Sequence, residues 1–89
     1  MLMTNFRIIL AYNGTAYHGW QRQNNALAVQ QVLEEAILSL TGQTVTVNGC
    51  SRTDAGVHAR RFCASFLIES TITCRGIVFG LNSKLPDDI

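Results

Sequence analysis

At 89 residues, with 47% hydrophobic and 15% charged side chains, the chain has the balance of one globular domain rather than a disordered segment. A domain of this size buries roughly 60–70% of its unfolded surface, enough for a modest core. The net charge of +1 excludes a strongly basic footprint over the whole domain, but not a local one, because only Asp54 opposes Arg52, Arg60 and Arg61 within residues 52–61.

No window holds the ~18 uninterrupted apolar residues of a membrane span. The N-terminal MLMTNFRIIL lacks the basic start and small-residue cleavage site of a signal peptide, so the expected compartment is the cytoplasm. Phe6 to Tyr12 then alternates, with Phe6, Ile8, Leu10 and Tyr12 on one face and Arg7, Ile9 and Ala11 on the other, which predicts a strand with at least one buried face. Asn13-Gly14 is a turn signal. The stretch TAYHGWQRQNN has no period and reads as a long loop, of the kind that often carries function.

From Ala28 to Thr41, Val29, Val32, Leu33, Ala36, Ile37 and Leu40 recur at the spacing of an amphipathic helix. Gln30, Gln31, Glu34 and Glu35 fill its wet face, and Gly42 stands where a C-cap belongs. Thr44 to Asn48 alternates again, with Val45 and Val47 inward. Phe62, Ala64, Phe66 and Ile68 form one face of a third strand that ends near Glu69. Ser70, Thr71 and Thr73 are candidate N-caps for a second helix carrying Ile77, Val78 and Leu81 and stopped by Pro86. Gly76 and Gly80 each cost that helix about 1 kcal/mol relative to Ala, so it must rely on packing.

The order strand, helix, strand, strand, helix supplies five of the six elements of a ferredoxin-like split β-α-β unit. The predicted class is α+β, an antiparallel sheet with the helices on one face. The sixth element, a strand, would begin where the chain reads LPDDI, so residues 1–89 are expected to be the N-terminal part of a longer protein.

Two stretches concentrate polar chemistry. CSRTDAGVHARR, residues 50–61, joins the second strand to the third, with Ser51 to Arg61 expected as an irregular loop. In its bland form this is a solvated turn capped by Asp54. Against that, Arg52 and Asp54 stand two apart and can share one side of an extended segment, where a cation favours the ionised carboxylate. Gly56 also lets the backbone carry Asp54 towards a ligand.

A metal site does not fit. His58 and Asp54 are four apart, but Cys50 and Cys63 are remote in sequence and His18 is isolated, so no set matches zinc spacing. Cys50, Cys63 and Cys74 are odd in number with no CxxC, and are expected as reduced, buried thiols. Paired acid–base hydrolysis needs a second carboxylate, and Glu34 and Glu35 are accounted for on the helix. Asp54 alone suits nucleophilic or electrostatic chemistry.

The second stretch is YNGTAYHGWQRQ, residues 12–23. Tyr17, His18, Trp20, Gln21, Arg22 and Gln23 combine stacking faces with amide and guanidinium donors, a set suited to RNA backbone and unstacked bases. The same residues equally describe a surface loop pinned to the domain by Trp20.

RTDAGVHA at residues 52–59, YNGTAYHGWQRQ, VQQVLEEAI and the terminal LNSKLPDDI together resemble the TruA-type tRNA pseudouridine synthases, in the family's order and approximate spacing over nearly the whole chain. The resemblance implies isomerisation of uridine to pseudouridine in the tRNA anticodon arm, just 3′ of the anticodon. No group is gained or lost, so neither cofactor nor energy source is implied. Asp54 takes the place of the essential aspartate, which attacks either the sugar or the base. Arg52 takes that of the residue that pairs with the aspartate and helps displace the base. Arg22, Arg60, Arg61 and His58, with His18, Trp20, Gln21 and Gln23 of the aromatic loop, are the expected tRNA contacts.

Two departures, Asn13 where the family often has Asp and Ser51 where it often has Gly, both suit turns. The family's enzymes carry a second, similar half with a tyrosine that stacks on the target base, and bind tRNA as homodimers. The chain is therefore expected to be the catalytic-aspartate half, inactive or nearly so alone. The alternatives are a non-catalytic RNA-binding ferredoxin-like module and a purely structural domain.

Overall fold

In the computed structural model, which describes residues 3–69 and 71–89, the alternation of the first strand finds its partner in the third. β1 (Met3–Tyr12) runs antiparallel to β3 (Ala59–Glu69), with Phe6 opposite Phe66, Ile8 opposite Ala64 and Leu10 opposite Phe62. The even-numbered residues of β1 and those of β3 from Phe62 to Ile68 thus share one face, and the Phe6 and Phe66 rings stack with centroids 5.8 Å apart. β2 (Asn48–Gly49) lies antiparallel along the other side of β3, giving the order β1-β3-β2.

The covered face receives two helices, α1 (Val29–Thr41) and α2 (Cys74–Lys84). Val29, Leu33, Ala36 and Ile37 of α1 and Ile77 and Leu81 of α2 are buried in one cluster with Phe62, Phe66 and Ile68. This is the predicted α+β arrangement, an antiparallel sheet with helices on one face, consistent with the split β-α-β unit. The outer face of the sheet carries exposed Met3, Ile9 and Leu67. No helix among the described residues is long and apolar enough to cross a membrane.

The boundaries of α1 follow the sequence closely. Gly42 takes the left-handed conformation (φ 76°) and donates its N–H to Leu38 O at 2.8 Å. The cap of α2 is Thr73, whose hydroxyl accepts from the Gly76 amide at 3.1 Å. Ser70, another candidate cap, lies outside the described residues. Gly80 has a packing reason: a methyl group there would come within 2.5 Å of Leu40 Cδ1, so the bare backbone lets the two helices approach.

Four expectations need correction. The second strand shrinks to two residues, because side chains of α1 take the backbone groups that a longer ladder would use. The Val47 N–H donates to the Glu34 carboxylate at 2.9 Å, and the Gln30 amide donates to Val47 O at 2.8 Å. Gln30 and Glu34 are therefore a clamp on the incoming strand rather than a wet face, and Val47 itself is fully buried. Val78 faces outward at 55% exposure, since the narrow apolar stripe of α2 is satisfied by Ile77 and Leu81, one turn apart. β3 begins at Ala59, which places Arg60 and Arg61 in the strand rather than in the preceding loop.

Adjacent positions on α1 separate burial from composition. Ile37→Ala is expected to lower the unfolding free energy by about 2–5 kcal/mol. Leu38→Ala, at a site 43% exposed, should cost under about 1 kcal/mol. Urea unfolding of the two variants measures the difference.

Candidate functional site

Two loops meet at the end of the sheet where β1 stops and β3 starts. The first, residues 13–28, leaves β1 through a 3₁₀ turn at Gly14–Ala16, in which the Asn13 side chain accepts from the Thr15 amide at 3.1 Å. The second, residues 50–58, carries Arg52 and Asp54. Three hydrogen bonds join the two loops, and a fourth ties the second loop to β1. The Trp20 N–H donates to Thr53 O at 3.3 Å, and the Gly56 N–H to Tyr17 O at 3.0 Å. The Gly14 N–H donates to His58 Nδ1 at 2.9 Å. At the end of β1, the Tyr12 hydroxyl bonds Thr53 Oγ1 at 2.8 Å.

The contact is backbone against backbone. A methyl group on Gly14 would collide with the Val57 carbonyl oxygen, and one on Gly19, whose φ is 81°, with that of Thr53. Within the second loop the Val57 N–H closes a turn on Asp54 O at 3.2 Å. Its third residue, Gly56, has the positive φ (78°) that a type II turn requires there. Asp54 is thus the first residue of a tight turn whose far side is bonded to Tyr17.

Among the described residues the Asp54 carboxylate is exposed and has no hydrogen-bond or ion-pair partner. The expected Arg52–Asp54 ion pair is not formed. The two side chains instead line one open depression of about 360 Å³, together with His18, Gln21, Gln23 and Thr53. Arg52 and Gln21 also edge a neighbouring depression of about 300 Å³ that reaches Gln30, Asn48 and Ser51. Arg52 therefore stands on the ridge between two concavities, free of any carboxylate.

The remaining predicted residues divide between holding the loops and facing solvent. Trp20 is 3% exposed, and its ring stacks on Phe62 at 4.4 Å. Its aromatic faces are therefore inside the domain, and it pins the loop. The Nδ1 of His58 accepts the Gly14 amide, which puts the neutral ring's proton on Nε2. Arg22 turns away from Asp54 onto α1, 3.5 Å from the Glu34 carboxylate and 4.0 Å from that of Glu35, while its N–H donates to Gln30 Oε1 at 2.8 Å. Gln23 donates to the His18 carbonyl at 2.6 Å, folding the loop tip back on itself.

Arg60 and Arg61 owe their direction to an irregularity in the ladder. Leu10 opposes Phe62 but Tyr12 opposes Ala59, so β3 carries one extra residue there. Ala59 and Phe62 both turn towards the core, and the two arginines between them are both exposed. A regular strand would have sent one of them inward.

Other features of the site have weak sequence signals. Tyr17 is 4% exposed and donates its hydroxyl to Asp88 Oδ1 at 2.6 Å, while the Asn13 N–H donates to Asp88 O at 2.8 Å. The terminal LPDDI motif therefore folds back to brace the first loop. Burial pushes the Tyr17 phenol well above its ordinary range, and the hydrogen bond and negative charge of Asp88 add to the effect. The thiols also differ from expectation, because Cys50 lies beside the edge strand, Cys63 on the outer face of the central strand and Cys74 at a helix end, rather than in the core. Cys50 and Cys74 are exposed and Cys63 is half-buried, all three unbridged. Among the described residues no three His, Cys, Asp or Glu side chains gather into a group able to hold a metal ion.

Residues 8–89 match the model of a family described as tRNA pseudouridine synthase. The chain is 52% identical over 87 residues to tRNA pseudouridine synthase A of Clostridium kluyveri, covering 98% of this chain and 36% of that protein. The same coverage applies to the proteins of that name from Pelobacter propionicus, at 51% identity, and from a Thermoanaerobacter species, at 49%. The chain thus spans about a third of the length of these curated relatives.

The Tyr17–Asp88 contact makes stability depend on alkaline pH. The folded phenol holds its proton more tightly than the unfolded one, so the contribution is complete below the ordinary tyrosine value of 10.0. It declines as pH rises above that value, because the unfolded chain ionises first. Unfolding free energies measured from neutral pH to above 10.0 should fall more steeply for the wild type than for Tyr17→Phe.

Proposed function

The chain belongs to the tRNA pseudouridine synthase family, and from that membership we propose that residues 1–89 form the aspartate-bearing N-terminal ferredoxin-like half of an enzyme that isomerises uridine to pseudouridine in the tRNA anticodon arm. The observation that carries the reading is the presentation of Asp54. An exposed carboxylate with no partner among the described residues, at the head of a turn bonded on both sides, is available to attack a substrate and restrained from wandering. Preorganisation of this kind matters because a misplacement of ~1 Å costs about 10²-fold in rate.

In this proposal Asp54 attacks the sugar or the base of the target uridine. The N-glycosidic bond breaks, the uracil turns while held, a ring carbon bonds the sugar and gives up its proton, the freed ring nitrogen takes one up, and the Asp54 bond is released, with no cofactor and no metal. The target must leave the base stack, which costs a few kcal/mol. Arg52, edging two depressions and without an ion-pair partner among the described residues, occupies the space of the displaced base in this reading and meets Asp54 once RNA is bound. Exposed Arg60 and Arg61 reach phosphates, and His18, Gln21 and Gln23 supply donors and acceptors to the nucleotide beside Asp54. Trp20 and His58 act by holding the loops, and Arg22 contributes at the outer edge, over α1.

The rest of the longer protein would supply the other cleft wall and the tyrosine that stacks on the base. The assembly would be a cytoplasmic homodimer, and residues 1–89 alone would be inactive or nearly so.

Asp54→Asn should reduce conversion of uridine in an anticodon-arm substrate by the full-length protein to background. Because the carboxylate has no partner among the described residues, folding should be unaltered; turnover retained in the folded variant would overturn the proposal. Formation of no product by the wild type, with RNA binding that survives Asp54→Ala, would favour a non-catalytic binding module instead. Replacing Arg60 and Arg61 together by Ala should weaken RNA binding at every sequence. It should also flatten the dependence of log K on log salt by about 1–2 units, as two lost phosphate contacts require.

A further inference from the structure

Cys50 and Cys63, far apart in sequence, are direct cross-strand neighbours. β2 pairs with β3 through Asn48 opposite Ser65 and Gly49 opposite Ala64, and the next step of that register sets Cys50 opposite Cys63. The Cys50 N–H donates to Cys63 O at 2.9 Å, so the pairing continues one residue beyond β2. Directly opposed residues of an antiparallel pair lie on the same face of the sheet. Ala64 is buried in the core, so its neighbour Cys63 projects to the outer face with Cys50. Both cysteines line a shallow depression there with Arg7, Asn48 and Ser65.

We propose that Cys50 and Cys63 are a redox-active pair that closes into a reversible disulfide under oxidising conditions, stapling the base of the loop that carries Asp54. A hydrogen-bonded antiparallel pair holds its Cα atoms about 5.5 Å apart. A disulfide spans about 4.4–6.8 Å between Cα atoms but only about 3.5–4.5 Å between Cβ atoms, so closure must draw the two Cβ atoms in from the wider spacing of an opposed strand pair. Cys50 follows a strand of only two residues and is exposed, so its side can adjust while Cys63 stays fixed in the sheet. Exposure also marks the bond as a labile rather than a structural one.

The oxidant is a low-molecular-weight disulfide. One cysteine thiolate attacks it, releasing a first small thiol and leaving a mixed disulfide on the protein. The second thiolate then attacks the protein sulfur of that adduct and releases the second small thiol. Two electrons and the two thiol protons pass to the small molecule, and a dithiol reverses the reaction. The closed ring encloses residues 51–62 and with them Arg52, Asp54 and His58.

The test is to equilibrate the full-length protein with oxidised and reduced glutathione, alkylate the remaining thiols, digest with trypsin and analyse the peptides by mass. Arg52, Arg60 and Arg61 lie between the two cysteines, so cleavage there separates them and a crosslink appears as a joined pair; Cys63 and Cys74 share the peptide 62–75, and fragmentation between them assigns which thiol is joined and which is alkylated. The expected result is a Cys50–Cys63 peptide pair two hydrogens lighter than its reduced parts, abolished by dithiothreitol, while exposed Cys74 is alkylated. Cys63→Ser should leave glutathione on Cys50 as a mixed disulfide, and so keep the two steps distinguishable. Alkylation of Cys50 and Cys63 to the same extent as Cys74, crosslinking of either to Cys74, or glutathione persisting on wild-type Cys50 would overturn the proposal. None of these outcomes depends on turnover of tRNA.

Discussion

The close approach of two backbones organises everything around Asp54. Gly14 and Gly19 leave no room for side chains against the carbonyls of Val57 and Thr53, and the gap they close is bridged by hydrogen bonds from Gly14, Trp20 and Gly56. A loop of this length would ordinarily sit at the mobile end of a protein's stability range. Here it is joined to the first loop, which is itself fixed at two points, by Trp20 on Phe62 and by Tyr17 on Asp88. Restraint reaches the Asp54 carboxylate through the main chain, while its oxygen atoms have no partner among the described residues.

The same arrangement concentrates positive charge locally in a chain with a net charge of only +1. The cations are sorted by position. Arg22 is absorbed by Glu34 and Glu35 on α1, whereas Arg52 on its ridge has no partner among the described residues, and the bulge turns Arg60 and Arg61 outward together. An extra residue in β3 achieves what a regular strand could not, two consecutive side chains on the solvent side. Local geometry rather than total charge sets the field near Asp54.

Elements with strong periodicity were legible from sequence because burial alone determines them. The stripe from Val29 to Leu40 and the alternation of Phe62 to Ile68 each face one core, and each matches the structure nearly to the residue. The expectations that differed turn on contacts between segments remote in sequence. The Thr44–Asn48 alternation is real in that Val47 is buried, yet Glu34 and Gln30 take its backbone groups and no long ladder forms. Trp20 is an amphipathic ring in a polar loop, and only the position of Phe62 reveals that it points inward. The roles of Tyr17 and Asp88 depend on a contact spanning most of the chain, for which LPDDI is the only trace in the sequence. The motif at residues 52–59 set Arg52 and Asp54 close in sequence, but did not show that their side chains line one depression without forming an ion pair.

The central claim is that the Asp54 turn is held by the first loop and not merely adjacent to it. Native-state hydrogen exchange of the full-length protein tests this most directly at the amides of Gly14, Trp20 and Gly56. The account predicts that these three exchange together, with protection approaching that of the β3 amides at Phe62 to Phe66. Exchange at the rate of an open loop, with β3 still protected, would contradict it.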